Sequence, residues 1–309
     1  MQPAGRPPSP ETARQIVAAC GIDPLAIHYL ASGAESLVWE IRTASERFTL
    51  RIASPRPGES SSYESEFAIR RRLFDLGGRV PEPIRTNRDV ETGLSLDWSL
   101  DRFVDGEPGL SLPLQACRDL GTLLAKLHSL PVEGFGLLEN RRDMLIGSRP
   151  DLRAGILSRL AHPWPFTGDS LEDHAIAPAA PDLVPTLRNL EPEILRVAEQ
   201  PTAIAVLHSD LHAGQLLLSE GRLMALIDFG DAVAGPPGWD IASFAYFHGW
   251  ELTEHLLGGY TSDTGWRRAL KEEARLFTVV IALHHAGRAQ PLNQPQRMEG
   301  AIHYLMANL

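Results

Sequence analysis

Asp210, Gln215 and Asp228 fall at i, i+5 and i+18, with phenylalanine and glycine directly after the last aspartate. Phosphoryl transfer needs such a set, because its transition state is met by positioning and charge more than by covalent chemistry. One carboxylate orients the acceptor hydroxyl and takes up its proton. An amide oxygen and a second carboxylate are hard donors suited to Mg²⁺, which keeps several waters. The two stretches around them, Val206-Leu-His-Ser-Asp-Leu-His-Ala-Gly-Gln-Leu-Leu-Leu218 and Ala225-Leu-Ile-Asp-Phe-Gly-Asp231, are apolar runs ending in polar clusters that add His208, His212 and Asp231. Ionisable groups at strand ends are costly to bury unless paired or bound to metal. A different chemistry is also open: His208, Asp210 and His212 alternate, so on an extended strand they would share a face and could ligate zinc in a metal-dependent hydrolase.

The elements that must position these residues follow from periodicity. Ala203–Leu207 reads as a buried strand, and Leu216–Ser219 with Leu223–Ile227 as a hairpin turning at Glu220-Gly221-Arg222. Upstream, Ser9-Pro10-Glu11 opens a short helix to about Cys20, and residues 25–30, 37–42 and 47–52 read as antiparallel strands. The first turn holds Gly33 and Ser36, where backbone N–H groups could approach a phosphate. Arg51 lies in the third strand, and Glu66, in the first turn of a helix over 63–76, could reach it if that helix packs on the sheet. Strands over 84–87 and 94–103 would close the sheet, and Asp105-Gly106-Glu-Pro108 is the best linker.

Beyond the linker the chain turns helical, over 114–130, 151–160 and 185–198, with an irregular insertion at 162–181. Gly235-Pro-Pro-Gly238 turns the chain into a helix beginning near Asp240, which reads as its N-cap. The remainder is helical with breaks at Gly258-Gly259 and 291–295. The expected fold is α+β and bilobal: a small antiparallel sheet lobe over 1–106 and a larger, mainly helical lobe over 107–309.

With 309 residues, 43% hydrophobic and 22% charged, the chain can build a sizeable core. A net charge of −10 argues against a general nucleic-acid or anionic-membrane surface. Two cysteines, Cys20 and Cys117, cannot form a disulfide framework, so a reducing cytoplasm is the expected location. No apolar stretch is long enough to span a bilayer.

His208-Ser-Asp-Leu-His-Ala-Gly-Gln215, Ile227-Asp-Phe-Gly-Asp-Ala232 and Gly235-Pro-Pro-Gly-Trp-Asp240 together resemble the aminoglycoside phosphotransferase family, of protein-kinase-like fold, whose relatives include choline, homoserine and fructosamine kinases. Leu50-Arg-Ile52, Glu66, Val80-Pro-Glu-Pro83, Asp101-Arg-Phe-Val-Asp-Gly106 and Leu120-Gly-Thr-Leu-Leu-Ala-Lys-Leu-His128 support the resemblance by order and spacing. It implies an ATP- or GTP-dependent, Mg²⁺-requiring kinase acting on a small-molecule hydroxyl, monomeric or homodimeric, with no nucleic-acid or membrane partner. Asp210 would be the catalytic base, and Asp228 and Gln215 the Mg²⁺ ligands. Gly33 to Ser36 would close over the phosphates, Arg51 and Glu66 would align them, and backbone groups of Arg102, Phe103 and Val104 in the hinge at 101–106 would hydrogen-bond the base. His208, His212, Asp231 and Asp240 would support the site. Two departures stand out: glutamine replaces the usual asparagine at 215, and arginine replaces the usual third-strand lysine at 51. Together they raise a further alternative, a non-catalytic kinase-like nucleotide-binding protein.

Overall fold

The computed structural model describes residues 9–32, 36–53, 63–141, 144–160 and 164–309, and the chain divides into two compact units. Unit one comprises Met1–Glu107, Leu217–Ser219 and Met224–Gly230. Unit two comprises Pro108–Leu216, Glu220–Leu223 and Asp231–Leu309.

In unit one, Ser9 caps helix Pro10–Ala19 in a reciprocal pair with Thr12. Ala13, Ile16 and Val17, spaced i, i+3 and i+4, bury one face of that helix against Trp39, Ile41, Phe48, Leu50, Ile52, Trp98 and Leu100. Those partners belong to a five-stranded antiparallel sheet in the order Ala26–Ser32, Ser36–Arg42, Arg47–Ala53, Trp98–Arg102, Pro83–Thr86. Strand period 2 sends Leu50 and Ile52 into this core and Arg51 to the opposite face. Helix Tyr63–Asp75 buries Glu66, Ile69, Arg70 and Leu73, and Arg70 forms a buried ion pair with Asp101. The strand expected over 94–103 is paired only at Trp98–Arg102; Leu94 and Leu96 pack on the core from a loop, so their alternation reported burial without a ladder.

Unit two is built on helices Leu114–His128, Leu152–Arg159, Val184–Glu199, Gly238–His248, Trp250–Tyr260, Thr264–Arg288 and Pro295–Asn308. Beside them runs a second five-stranded sheet, ordered Ala205–Leu207, Val233–Gly235, Phe135–Arg141, Met144–Arg149, Val132–Glu133. The strands over 132–149 and 233–235 were not anticipated, being short or broken by glycines such as Gly134 and Gly136, both at positive φ. Gly258-Gly259 does not break a helix: both lie inside Trp250–Tyr260. Gly259 is needed for packing, since a Cβ there would meet the Arg118 carbonyl oxygen at 2.1 Å. Asp169, Glu172, Asp173 and Asp182, in the irregular segment, are exposed, and Glu172 pairs with Arg188. Among the described residues no helix is long and apolar enough to cross a membrane.

Candidate functional site

In unit one, three residues remote in sequence converge. Arg51 Nη2 lies 2.6 Å from Glu66 Oε2, and Arg51 Nη1 lies 4.0 Å from Asp228 Oδ1. The guanidinium also sits over the Tyr63 ring, 5.0 Å from its centroid. Burial alone would lower the Arg51 pKa, but Glu66, Asp101, Tyr63 and Asp228 outweigh it and hold the group above its ordinary value, permanently charged. Asp228 adopts φ 64°, a conformation costly for a non-glycine residue. It is fixed from both sides: strand Arg222–Leu226 precedes it, with the Leu226 N–H donating to the Arg79 carbonyl at 2.9 Å, and Phe229 is buried immediately after. Its own side chain remains 56% exposed, so an anchored backbone presents an accessible carboxylate. A Cβ on Gly230 would stand 3.5 Å from both Asp228 Oδ1 and Glu66 Oε1, which shows how closely this turn approaches the helix.

Of the other unit-one positions, Gly33 lies outside the described residues, and Ser36 opens the second strand opposite Ala53. The three residues expected to meet the base are not equivalent. Arg102 N–H donates to the Glu82 carbonyl and Phe103 N–H to the Arg47 carbonyl, both consumed by the sheet. Val104 N–H makes no hydrogen bond among the described residues. The expectation for this segment therefore narrows, for a backbone donor, to Val104.

In unit two, the loop after strand Ala205–Leu207 is held by one helix. Asp240, fully buried, accepts from His208 N–H at 2.9 Å and Ser209 N–H at 2.7 Å, and its Oδ2 lies 3.0 Å from His128 Nε2. Ser243 Oγ accepts from Leu211 N–H at 2.9 Å, and His248 Nε2 lies 3.0 Å from the Leu211 carbonyl oxygen. Burial keeps His248 below its ordinary pKa, so it donates as a neutral ring. Ser209, at φ 68°, is further tied by its hydroxyl to the Asp231 carbonyl at 2.6 Å. Asp240 is thus not the helix N-cap, a position taken by Pro237; it lies in the first turn with its carboxylate turned to the loop. His128, Ser243 and His248 were missed. The signal for the last two was their spacing from Asp240 along one helix; for His128 it was the Leu120–His128 segment, which ends on it.

These braces leave Asp210 partly exposed, its Oδ2 3.6 Å from His212 Nε2. His212 Nδ1 accepts from Gly214 N–H at 3.0 Å, so a neutral His212 carries its proton on Nε2. Gln215 Nε2 lies 3.2 Å from that Nε2; with hydrogens on both nitrogens, exchanging the amide's oxygen and nitrogen places an acceptor there instead. His208, Asp210 and His212 do not share a face: the loop is not a strand, and the buried His208 ring accepts from Asp210 N–H at 3.4 Å instead of pointing outward. Among the described residues no group of three or more His, Cys, Asp or Glu could hold a metal ion. Asp228 and Gln215 would supply only hard oxygens, the donor type Mg²⁺ takes alongside water. Asp210, His212 and Asp231 line a cavity of about 560 Å³, walled by Trp239, Tyr246 and Phe247 and by the helices Thr264–Arg288 and Pro295–Asn308.

The model of the phosphotransferase enzyme family (APH) matches residues 26–277. The chain belongs to this family. Its α+β fold recurs in solved phosphotransferases of the same kind. Aminoglycoside phosphotransferase APH(4)-Ia superimposes with a TM-score of 0.63 at 15% identity, covering 97% of this chain and 100% of that one. A thermostable mutant of APH(4)-Ia, in ternary complex with AMP-PNP and hygromycin B, gives 0.62 at 17% identity, covering 96% and 98%. The GDP and kanamycin complex of APH(2")-IIia gives 0.58 at 16% identity, covering 97% and 98%. Among curated proteins, acyl-CoA dehydrogenase family member 11 of Homo sapiens is 22% identical over 262 residues, 78% of this chain and 30% of that protein. Its Gallus gallus counterpart is 23% identical over 247 residues, 76% of this chain and 29% of that protein. The chain thus spans about a third or less of the length of these relatives.

Proposed function

We propose that this phosphotransferase moves the γ-phosphoryl group of ATP or GTP to a hydroxyl of a small molecule. The observation that carries the reading is the convergence of Arg51, Glu66 and Asp228, distant in sequence, on one permanently charged guanidinium beside an accessible carboxylate. Arg51, oriented by Glu66, would bind phosphate oxygens through its planar fork, so arginine serves where a point-charge lysine is usual. Asp228 and Gln215 would hold Mg²⁺, whose charge would offset that of the nucleotide phosphates. Val104 N–H would donate to the base, and Ser36 would lie near the phosphates. The acceptor hydroxyl oxygen forms the new P–O bond as the bond to the departing nucleoside diphosphate breaks, and Asp210 receives the hydroxyl proton. His212 would hold Asp210 and Gln215 in place, while Asp240, His208 and Asp231 would keep the loop rigid. Neighbours of the same fold crystallised with AMP-PNP or GDP support nucleotide binding here.

The test is a nucleotide-induced melting shift combined with product detection. Asp228→Ala should abolish the shift with ATP·Mg²⁺. Asp210→Asn should retain the shift yet lose about a thousandfold or more in turnover, in keeping with loss of a general base and of hydroxyl orientation. Val104→Pro, which removes the free hinge donor, should weaken nucleotide affinity about tenfold. Nucleotide binding with no phosphorylated product across a broad panel of hydroxyl acceptors would leave the chain a nucleotide-binding protein without transfer activity.

A further inference from the structure

The cavity that Asp210 lines is basic, although the chain as a whole carries −10. Its lining includes three arginines, Arg159, Arg288 and Arg297, against two carboxylates, Asp210 and Asp231. Arg159 Nη2 lies 2.7 Å from Asp231 Oδ2, so those two charges offset each other. Neither Arg288 nor Arg297 forms an ion pair with a carboxylate among the described residues. Their placement is regular: Ile281, His284, His285 and Arg288 follow i, i+3, i+4 and i+7 on helix Thr264–Arg288 and line the cavity with one face. Arg297, in the first turn of helix Pro295–Asn308, is held by Gln294, whose Oε1 accepts its Nε–H at 2.5 Å, and by His285 Nδ1, 2.7 Å from Nη1.

That contact fixes the state of His285. A guanidinium donating to Nδ1 requires the ring to be neutral, with its hydrogen on Nε2. Burial first, then the charges of Arg297, Arg288, Arg159 and His212, lower its pKa to about 4. The ring stacks on Tyr246, with centroids 4.8 Å apart, which holds its orientation. The cavity therefore presents two guanidinium groups free of acidic partners and an aromatic wall. A polycationic acceptor would meet like charge there, and the exposed acidic residues Asp169, Glu172, Asp173 and Asp182 are not in the lining.

We propose that the acceptor of this phosphotransferase is a hydroxyl compound carrying an anionic group, a carboxylate or a phosphate monoester, which Arg288 and Arg297 bind while its hydroxyl faces Asp210. This rests on the function proposed above and specifies its substrate class. Arginine's fork pairs with two oxygens of one anion, so the recognition is directional as well as electrostatic.

Four probes of matched length test it with the full chain: 6-hydroxyhexanoate, 6-hydroxyhexyl phosphate, 6-hydroxyhexanamide and 6-aminohexan-1-ol. Binding is measured by calorimetry without nucleotide, and transfer by ADP release with ATP·Mg²⁺. One or both anionic probes should bind at least about tenfold more tightly than the amide or the amine. Whichever of the two binds better identifies the anion the site is built for. The Arg288→Gln/Arg297→Gln double variant should erase that preference, and Arg288→Lys/Arg297→Lys should keep part of it, which also covers misfolding of the glutamine variant. The proposal is overturned if the amine or amide binds as tightly as the anions, if none of the four binds, or if the preference survives the double glutamine change. The binding arm stands without turnover: anion preference with no ADP release or phosphoester refutes the phosphotransferase reading alone, whereas turnover without anion preference refutes this inference alone.

Discussion

Asp240 carries more of the loop geometry than the residues that would do chemistry. Two backbone N–H groups, of His208 and Ser209, and the His128 ring converge on one carboxylate with no exposure to water. In Asp240→Ala the two amides would stay buried without acceptors, each costing about 1–3 kcal/mol, and Ser209 would lose one of the bonds that offset its positive φ. We expect a loss of about 3 kcal/mol or more in urea unfolding, with turnover falling while the nucleotide-induced melting shift of the remaining folded chain persists. Asp240→Asn should cost less, since its one oxygen can satisfy one amide while its NH₂ opposes the other. A midpoint unchanged by the alanine substitution would refute this. Sequence placed Asp240 among the residues supporting the site but made it the helix N-cap, which it is not. An aspartate just after Gly-Pro-Pro-Gly matches an N-cap pattern, and nothing local signals that the two amides it accepts from lie about thirty residues upstream. Asp210 and Asp228 could be put forward as candidates for the opposite reason: their spacing is a local signature. Sequence could not separate Val104 from Arg102 and Phe103, because which N–H the sheet consumes is decided by pairing across strands.

Helix Trp250–Tyr260 shows the same limit at the level of the element. Adjacent glycines normally argue for a break, because glycine in a helix costs about 1 kcal/mol relative to alanine. Here Gly259 on this helix and Gly121 on helix Leu114–His128 lie where backbones pass too close for any side chain: added Cβ atoms would stand 2.1 Å from the Arg118 carbonyl oxygen and 2.0 Å from the Leu256 carbonyl oxygen. Gly258, one residue away, has nothing within 4 Å of such a Cβ. The pair makes a direct comparison. Gly259→Ala should force the helices apart and cost about 2–3 kcal/mol, as overpacking does. Gly258→Ala should be neutral or add about 0.5–1 kcal/mol by favouring the helix. Thermal unfolding of the two single variants decides it, and equal effects would refute the packing account. The amphipathic helices and alternating strands were readable because their own periods report burial. The strands over 132–149 and 233–235 were not: they are short or interrupted by glycines, and Val233–Gly235 is fixed by pairing with Ala205–Leu207 and, about a hundred positions away, with Phe135–Arg141.

The acid response of the molecule follows from neutral, half-buried histidines. His285 sits at about 4 in the folded chain against 6.5 for the free group, and His248 is shifted in the same direction, each through burial first. Between pH 6.5 and 4 the unfolded chain binds the proton that the folded chain refuses, so stability falls as pH falls through that window. His285→Gln should flatten this decline by about 1–2 kcal/mol between pH 6.5 and 4.5 in urea titrations, and an identical slope in the variant would refute the assignment. The division of the chain leads to a further whole-molecule expectation. Leu217–Ser219 and Met224–Gly230 group with unit one although more than a hundred residues separate them from Glu107. A fragment ending at residue 107 would therefore lack Asp228, the buried Phe229, and the Leu226 N–H that donates to the Arg79 carbonyl. It would keep Arg51 and Glu66, a charged pair whose neighbouring carboxylate is gone. Such a fragment should melt without a cooperative transition and show no ATP·Mg²⁺ response. Adding residues 108–309 as a separate chain should restore both, because the missing segment then returns. A fragment of residues 1–107 that melts cooperatively and binds the nucleotide unaided would show that the returning segment contributes neither folding nor binding to unit one.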